Sequence, residues 1–195
     1  MAKEKFANHI AQYWQIDGNN PIEILDWKDA NGSKFYHVRY IFDKVGKTIV
    51  INGDFGAAVV NPTWEATLEK TIEIGINPEY FLEKCEATSD NYTYYRFEAE
   101  EEARQYLEEI AENDKTGFFS AVTVDSLLSK LMSDFSIYDG FRPSTDLCDT
   151  LSIIDLDWRE WLYGCGKRVH PRVIMWLVGL QMASKMVLDK RGGKV

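Results

Sequence analysis

The sequence predicts an α+β protein, with an N-terminal antiparallel β-meander of four or five strands packed by helices and a helical C-terminal part. Two observations lead to this class: short β-type runs with turn residues between them fill residues 22 to 60, and helix-type segments dominate after residue 62. The composition is that of a folded globule, since 45% of the 195 residues are hydrophobic and 13% are aromatic. We expect an α+β domain over residues 1–117 and a helical part over 118–195, or one continuous domain.

The first elements follow from apolar spacing. Residues 3–16 place Phe6, Ile10, Tyr13 and Trp14 at helical spacing, which predicts an amphipathic first helix. Runs of β-type residues then occupy residues 22–27, 34–42, 48–51 and 57–60, with glycine-containing turns between them. This arrangement predicts an antiparallel meander.

Asp54-Phe55-Gly56 is the tripeptide with which protein kinases hold magnesium. A kinase also needs a glycine-rich loop, a lysine in its third strand and an HRD loop, and none of these motifs is present in this short chain. We therefore interpret Asn52-Gly53 and Gly56 as turn residues of a tight hairpin, which leave Phe55 free to pack on the sheet.

Helices are predicted after the meander. Residues 63–75 are predicted to form a helix that ends at Gly75, and Asn77-Pro78 then gives a helix cap followed by proline at the first helical position. A strand is expected from Tyr92 to Phe97. The next helix, over residues 97–114, places Ala103, Tyr106, Leu107 and Ile110 on its apolar stripe.

That helix also carries the most acidic stretch of the chain. Between Glu98 and Asp114 there are eight acidic residues and one basic residue, Arg104. A solvated helix face is the simplest interpretation, and a negative surface for a basic partner is the sharper one. The candidate partner-binding residues are Glu98, Glu101, Glu102, Glu108, Glu109 and Glu112.

Charge is distributed unevenly along the chain. The net charge is −9, yet residues 164–195 contain seven basic residues and one acidic residue. An acidic body argues against general nucleic-acid affinity, whereas the basic end is suited to phosphate or to an acidic partner. The candidate contacts there are Lys167, Arg168 and Arg172.

Pro171 opens an apolar C-terminal helix that is hydrophobic around much of its circumference. Residues 171–188 are therefore expected in the core or at a homodimer interface, with the cations at the two ends of the helix. Charged and polar residues interrupt the helix, so we expect no membrane span. Three cysteines without a CxxC pair indicate a reducing cytoplasm.

Catalytic and metal-binding patterns are weak. His9, His37 and His170 fall in separate predicted elements, so no metal and no cofactor are expected. Cys165 lies in a glycine turn beside Lys167 and Arg168, with His170 nearby, where positive charge lowers a thiol pKa. A simple link between helices explains the same turn.

Two further groups of residues allow a chemical interpretation. An acidic series near Trp158 and Trp161 has the residue types of a glycosidase pair; it comprises Asp146, Asp149, Asp155, Asp157 and Glu160. Nothing in the sequence fixes their geometry, and Asp146 and Asp157 are more naturally charges at helix N-termini. Three tyrosines are a candidate platform for stacked bases, but the sequence lacks an RNP pattern and a basic groove; they are Tyr92, Tyr94 and Tyr95.

Three stretches carry a resemblance to a known group of proteins: GDFGAAVV at residues 53–60, INPEYFLEKCEA at 76–87 and YRFEAEEEARQYLEE at 95–109. Together they resemble uncharacterised accessory proteins of phages and prophages, in which a GD-aromatic-G turn precedes a YF-x-EK helix. The resemblance spans residues 35 to 112 and brings no catalytic residues. It implies a role among inhibitors of host defence, such as small acidic anti-CRISPR proteins that occupy nucleic-acid channels.

These observations lead to one main functional hypothesis, a non-enzymatic binding protein that inhibits a nucleic-acid-handling host defence complex through its acidic surface. The expected partner is a host protein or ribonucleoprotein with a basic surface, met in the host cytoplasm. Two alternatives stay open. One is a nucleic-acid-binding accessory protein that uses the basic C-terminal end, and the other is a small enzyme with a reactive Cys165.

Overall fold

The computed structural model describes residues 2–19, 21–74, 77–88 and 90–192. The chain divides into two compact units, which we call the sheet unit (Met1–Asn91 and Val169–Val195) and the helical unit (Tyr92–Arg168). The predicted α+β class is confirmed. The division differs from the boundary expected at residue 117, which lies inside the helical unit, because the C-terminal helix packs with the N-terminal sheet.

The sheet unit contains a six-stranded antiparallel sheet whose spatial order follows the sequence. It is therefore a simple meander, with six strands where four or five were expected. Its elements up to the helical unit are α1 (Ala2–Lys5), β1 (His9–Ile16), β2 (Ile22–Asp29), β3 (Val38–Asp43), β4 (Thr48–Gly53), β5 (Gly56–Val60), α2 (Leu68–Ile74), α3 (Pro78–Glu83) and β6 (Cys85–Thr88).

The helical unit contains mostly helices with short strand pairs, and the chain then returns to the sheet unit. The elements are β7 (Tyr92–Tyr94), α4 (Arg96–Glu112), a 3-10 helix (Phe118–Ser120), α5 (Val124–Ser133), β8 (Phe135–Ser136), β9 (Gly140–Phe141), α6 (Thr145–Ile154), α7 (Trp158–Leu162), β10 (Lys167–Val169) and α8 (Pro171–Gly192). Strand β7 pairs with β10, and β8 pairs with β9.

The predicted first helix is wrong over most of its length. Helix α1 ends at Lys5, and His9–Ile16 form a strand paired with β2 through eight consecutive residues. The spacing of Ile10, Tyr13 and Trp14 suits a helix, but these are also β-type residues. Pairing with β2 decides the outcome, because the strand buries His9 and Ala11 while β2 satisfies the backbone groups on the side that faces it.

The core of the sheet unit lies between one face of the sheet and α8. Alternate residues of β3 and β4 are buried on that face, as the pleat requires, and side chains of α8 fill the space above them. Its largest members include Trp27, Tyr40, Phe42 and Trp176. The predicted packing of residues 171–188 in the core is confirmed.

A close approach of α8 to β3 fixes this packing. The Tyr40 hydroxyl donates a hydrogen bond of 2.7 Å to the Trp176 carbonyl oxygen. A Cβ atom at Gly179 would lie 2.7 Å from the same hydroxyl, so the helix needs glycine at this position. Burial of Tyr40 raises the pKa of its hydroxyl well above the usual value.

The DFG tripeptide serves the β4–β5 hairpin. Gly53 pairs with Gly56, so the two-residue loop is Asp54-Phe55, not Asn52-Gly53 as the sequence suggested. An Asp54 carboxylate oxygen accepts the His37 backbone N–H at 3.1 Å, and the Asp54 N–H donates to the His37 carbonyl at 3.0 Å. Phe55 stacks on Tyr36 with ring centroids 5.7 Å apart. The structural interpretation of this motif accounts for all three residues.

The helical unit has a core of its own, built from the buried faces of α4 to α7. Helix α4 contributes small residues and one leucine, α5 contributes leucines, and α7 contributes Trp158 and Leu162. The expected strand from Tyr92 to Phe97 is shorter than predicted, because α4 begins at Arg96. Within the described residues, no helix has both the length and the apolar character that crossing a bilayer requires.

Candidate functional site

The most distinctive surface feature of the helical unit is a pair of stacked aromatic rings from α4 and α7. The rings of Tyr106 and Trp161 lie 5.1 Å apart at an interplanar angle of 16°. The Trp161 indole N–H donates to a carboxylate oxygen of Asp155 at 2.8 Å, which fixes the ring orientation. Tyr106, expected in the buried stripe of α4, is instead 44% exposed. The pair is an aromatic platform in which Tyr106 is exposed to solvent and Trp161 is half-buried.

Two clefts adjoin this platform. The first, of about 530 Å³, is lined by both rings and by the carboxylates of Glu102, Glu109 and Glu160, with no basic side chain. The second, of about 580 Å³, shares the two rings and Glu109 and adds Asp114, Asp155 and Lys115. A cation beside such rings gains both the attraction of the ring face and charge pairing. The first cleft therefore suits an arginine or lysine side chain, since Glu109 and Glu160 have no ion-pair partner among the described residues.

An acidic ridge continues from this site along α4, and we define it as Glu101, Glu108 and Glu112. At about 100° per residue these three side chains fall within about 40° of one another, opposite the buried stripe. All three are exposed. Glu108 has a loose ion pair with Arg104 at 3.9 Å, whereas Glu101 and Glu112 have no ion-pair partner among the residues described.

The six predicted acidic residues do not act as one surface. Arg168 lies 2.7 Å from Glu98 and 2.6 Å from Glu102, and the Gly166 N–H also donates to Glu102 at 2.7 Å. Partial burial opposes ionisation of Glu102, but these partners outweigh it and lower the carboxyl pKa. Glu98 and Glu102 thus hold the β10 segment, and the free surface consists of the ridge and Glu109.

The predicted cationic contacts are also engaged. Arg168 is neutralised as described above, and the Lys167 ammonium lies 4.0 Å from the centroid of the Tyr92 ring. Arg172 pairs with Asp90 at 3.5 Å, and its side chain donates to Nδ1 of His170 at 3.2 Å. The three cations therefore do not form a free phosphate site.

Cys165 has the environment of a structural thiol. It is 2% exposed, and its Sγ–H donates to the Trp161 carbonyl at 3.3 Å. Burial, with a contribution from the Glu102 charge, raises the pKa of the thiol to about 12. The sequence suggested that nearby cations would lower this pKa, but Arg168 forms ion pairs with Glu98 and Glu102. The thiolate is disfavoured at neutral pH.

The other candidate groups have structural roles too. In the acidic series, Asp155 orients Trp161 and Asp146 lies in the first turn of α6. Of the three tyrosines, Tyr92 packs under Lys167 and Tyr95 occupies the N-cap position of α4. Within the described residues, no group of three or more histidines, cysteines or carboxylates lies close enough together to hold a metal ion.

Sequence reasoning missed a charged cluster on the sheet. Asp26 on β2 accepts hydrogen bonds from Arg39 on β3, at 2.6 Å from Nε and 2.8 Å from Nη2, and His37 lies 3.4 Å away. Asp26 is 5% exposed. Burial raises its pKa, yet Arg39 and His37 reverse the sign and the net pKa is lowered. The available sequence signal was the position of Asp26 between Leu25 and Trp27, which are both buried in β2.

Comparisons of the chain with protein-family models, with curated proteins and with solved structures found no match.

Proposed function

We propose that this protein is a non-enzymatic binding protein whose helical unit engages a basic surface of a nucleic-acid-handling complex. The observation that carries the proposal is the Tyr106–Trp161 platform, which lines two acidic clefts and lies on α4 with the exposed ridge. Rigid aromatic rings contribute strongly to protein interfaces, and carboxylates around them select for arginine and lysine.

The biological setting in this proposal is inhibition of host defence by a phage-type accessory protein. It rests on the resemblance of residues 35 to 112 to such proteins. A channel that holds nucleic acid is lined with arginine and lysine, so an acidic competitor needs a matched negative surface. In this role the ridge attracts the partner over a distance, and the platform fixes the final contact.

Affinity capture from lysate of a bacterium that carries CRISPR systems tests this proposal. The wild-type chain is compared at low salt with a ridge variant, Glu101→Lys, Glu108→Lys and Glu112→Lys. A matched control reverses three exposed carboxylates elsewhere, Asp17→Lys, Glu86→Lys and Asp149→Lys, and so has the same net charge. We expect the wild type and the control to retain a nucleic-acid-handling complex that the ridge variant loses.

Two outcomes of that experiment would count against the proposal: capture of no such complex at low salt, or equal capture by all three proteins.

A second measurement tests the platform itself. Trp161→Ala should weaken binding of the captured complex at least about tenfold, which is the loss of about 1.4 kcal/mol expected for an aromatic contact. Association should also weaken steeply with added salt.

The nucleic-acid-binding alternative has less support, because Lys167, Arg168 and Arg172 all have partners within their own units. Removing α8 is not a fair test, since that helix fills the core of the sheet unit. The suitable test is a gel shift with Lys190→Ala and Arg191→Ala in the intact chain. A shift by the wild type that these substitutions abolish would favour the alternative.

A further inference from the structure

Strand β1 forms one edge of the sheet, and its hydrogen bonds show which backbone groups face outwards. The Asn8 carbonyl accepts the Ala30 N–H at 2.9 Å on the side of β2. The His9 N–H turns the other way to the Phe6 carbonyl at 3.0 Å, and the Ala11 N–H donates to Met186 Sδ at 3.3 Å. In an antiparallel strand the direction of these backbone groups alternates along the chain. The N–H and C=O groups of the odd-numbered residues of β1 therefore point away from β2, towards the open edge.

The outer half of this edge is open. The N–H and C=O groups of Tyr13 and Gln15 point away from β2, and the structure gives them no partner among the described residues. The side chains of Trp14 and Ile16 are 37% and 51% exposed. Proteins usually protect such edges with proline, lysine or a bulge. Residues 10–16 contain neither residue type, and their register with β2 is unbroken.

We propose that a second copy of this chain pairs with this edge, strand β1 against strand β1, about a two-fold axis at Trp14. Tyr13 then faces Gln15 of the second copy, and Gln15 faces Tyr13, which gives two hydrogen-bonded pairs. The position of the axis follows from the open groups. An axis at Tyr13 would require the Ala11 N–H, which Met186 already occupies, and one at Gln15 would run past the end of β1.

The side chains of β1 fit a second copy. Residues 10–16 have no charged side chain, so self-pairing places no like charges opposite each other. On the axis, Trp14 meets Trp14 of the second copy at a non-hydrogen-bonded position, where aromatic side chains approach closely and stabilise the pair. Because each chain carries a net charge of −9, added salt should strengthen this association. The acidic surface of α4 should show the opposite response with a basic partner.

A cysteine placed on the axis tests this pairing. At a non-hydrogen-bonded position the two Cα atoms lie about 4.5 Å apart, within reach of a disulfide. Trp14→Cys should therefore form a covalent dimer under mild oxidation. The matched control is Gln12→Cys, on the same face of β1; its Cα atoms in the two copies would lie about 14 Å apart and should not link. The wild type, with its three cysteines, is oxidised in parallel.

Light scattering on the intact chain provides the second arm. The wild type should show twice the chain mass of 22.5 kDa, increasingly so with salt. Gln15→Pro removes one outward N–H without breaking the β1–β2 ladder, so it should give a monomer with a cooperative melt, while Gln15→Ala stays dimeric. A monomeric wild type overturns the proposal. This holds even if Gln15→Pro abolishes binding of a different protein, because the edge would then not pair with a second copy of the chain. A dimer that Trp14→Cys fails to link overturns it as well.

Discussion

Asp26 and Arg39 face each other across β2 and β3, and the carboxylate accepts hydrogen bonds of 2.6 and 2.8 Å from the guanidinium. The Asp26 side chain is 7% exposed and that of Arg39 is 43% exposed, so the pair joins an interior anion to a surface cation. The carboxylate depends on this partner, because an unpaired buried charge is costly.

Loss of Arg39 should therefore destabilise the sheet unit. We expect Arg39→Met to lower the free energy of unfolding by about 2 kcal/mol, because it leaves the Asp26 carboxylate with His37 alone. The double variant Asp26→Leu, Arg39→Met should recover at least half of that loss, since it removes the buried charge too. Urea denaturation of the variants measures both values, and an unchanged Arg39→Met would show that water already solvates Asp26.

Stability should fall as the pH drops below about 6.5, partly because of His9. Burial lowers the pKa of His9, so the folded state keeps the ring neutral while the unfolded chain binds a proton. Protons then favour the unfolded state, by at most about 1.4 kcal/mol per pH unit for one group. Burial also lowers the pKa of His170, which adds to the effect.

The variant His9→Phe isolates this contribution. It keeps the ring contacts with Phe6 and Trp27 but cannot bind a proton. Urea midpoints measured across neutral and mildly acidic pH should therefore fall less steeply for the variant than for the wild type. Carboxylate contributions are common to both proteins and cancel in the comparison. If the urea midpoints of the variant and the wild type fall equally with pH, His9 is not held neutral by burial.

Cys165 should react slowly with thiol reagents in the folded protein. Its pKa of about 12 leaves almost no thiolate at neutral pH, and the sulfur is buried. Labelling followed by peptide mass spectrometry should find Cys148, which is half-buried, modified well before Cys165. Denaturant should remove the difference. Rapid and selective modification of Cys165 in the native state would revive the enzymatic alternative.

Substitutions in the DFG turn should affect stability and not nucleotide binding. A Cβ atom at Gly53 would lie 2.1 Å from the His37 carbonyl oxygen, so Gly53→Ala should cost about 1–3 kcal/mol through displaced backbone. Asp54→Ala should cost about 1 kcal/mol through the lost hydrogen bond to the His37 N–H. Calorimetry with magnesium and ATP should give no binding heat for the wild type, and saturable binding would contradict the structural role.

Local signals predicted the meander well, because glycine turns and β-type runs are encoded by neighbouring residues. Strand β1 was mistaken for a helix, since Ile10, Tyr13 and Trp14 suit both periods and the choice depends on pairing with β2. The division into units was also out of reach. Nothing near α8 in the sequence indicates that Trp176 packs against strands far earlier in the chain.

The candidate site was predicted only in part. The acidic face of α4 is visible in the sequence. The ion pairs of Arg168 with Glu98 and Glu102 are not, because they connect residues more than sixty positions apart. The platform was missed for the same reason. The sequence placed Tyr106 in the apolar stripe of its own helix, and its stacking on Trp161 depends on the packing of α4 with α7.

The helical unit is inserted into the sheet unit, and this has a consequence for biosynthesis. The Asn91 carbonyl accepts the His170 N–H at 2.8 Å, so the chain leaves the sheet unit and returns to it at one place. A ribosome makes α8 only after all of residues 92–168. Until the inserted unit has been synthesised, the nascent sheet therefore lacks α8, and Tyr40 and Phe42 are not covered by it. During that interval the growing chain offers the apolar surface that chaperones bind.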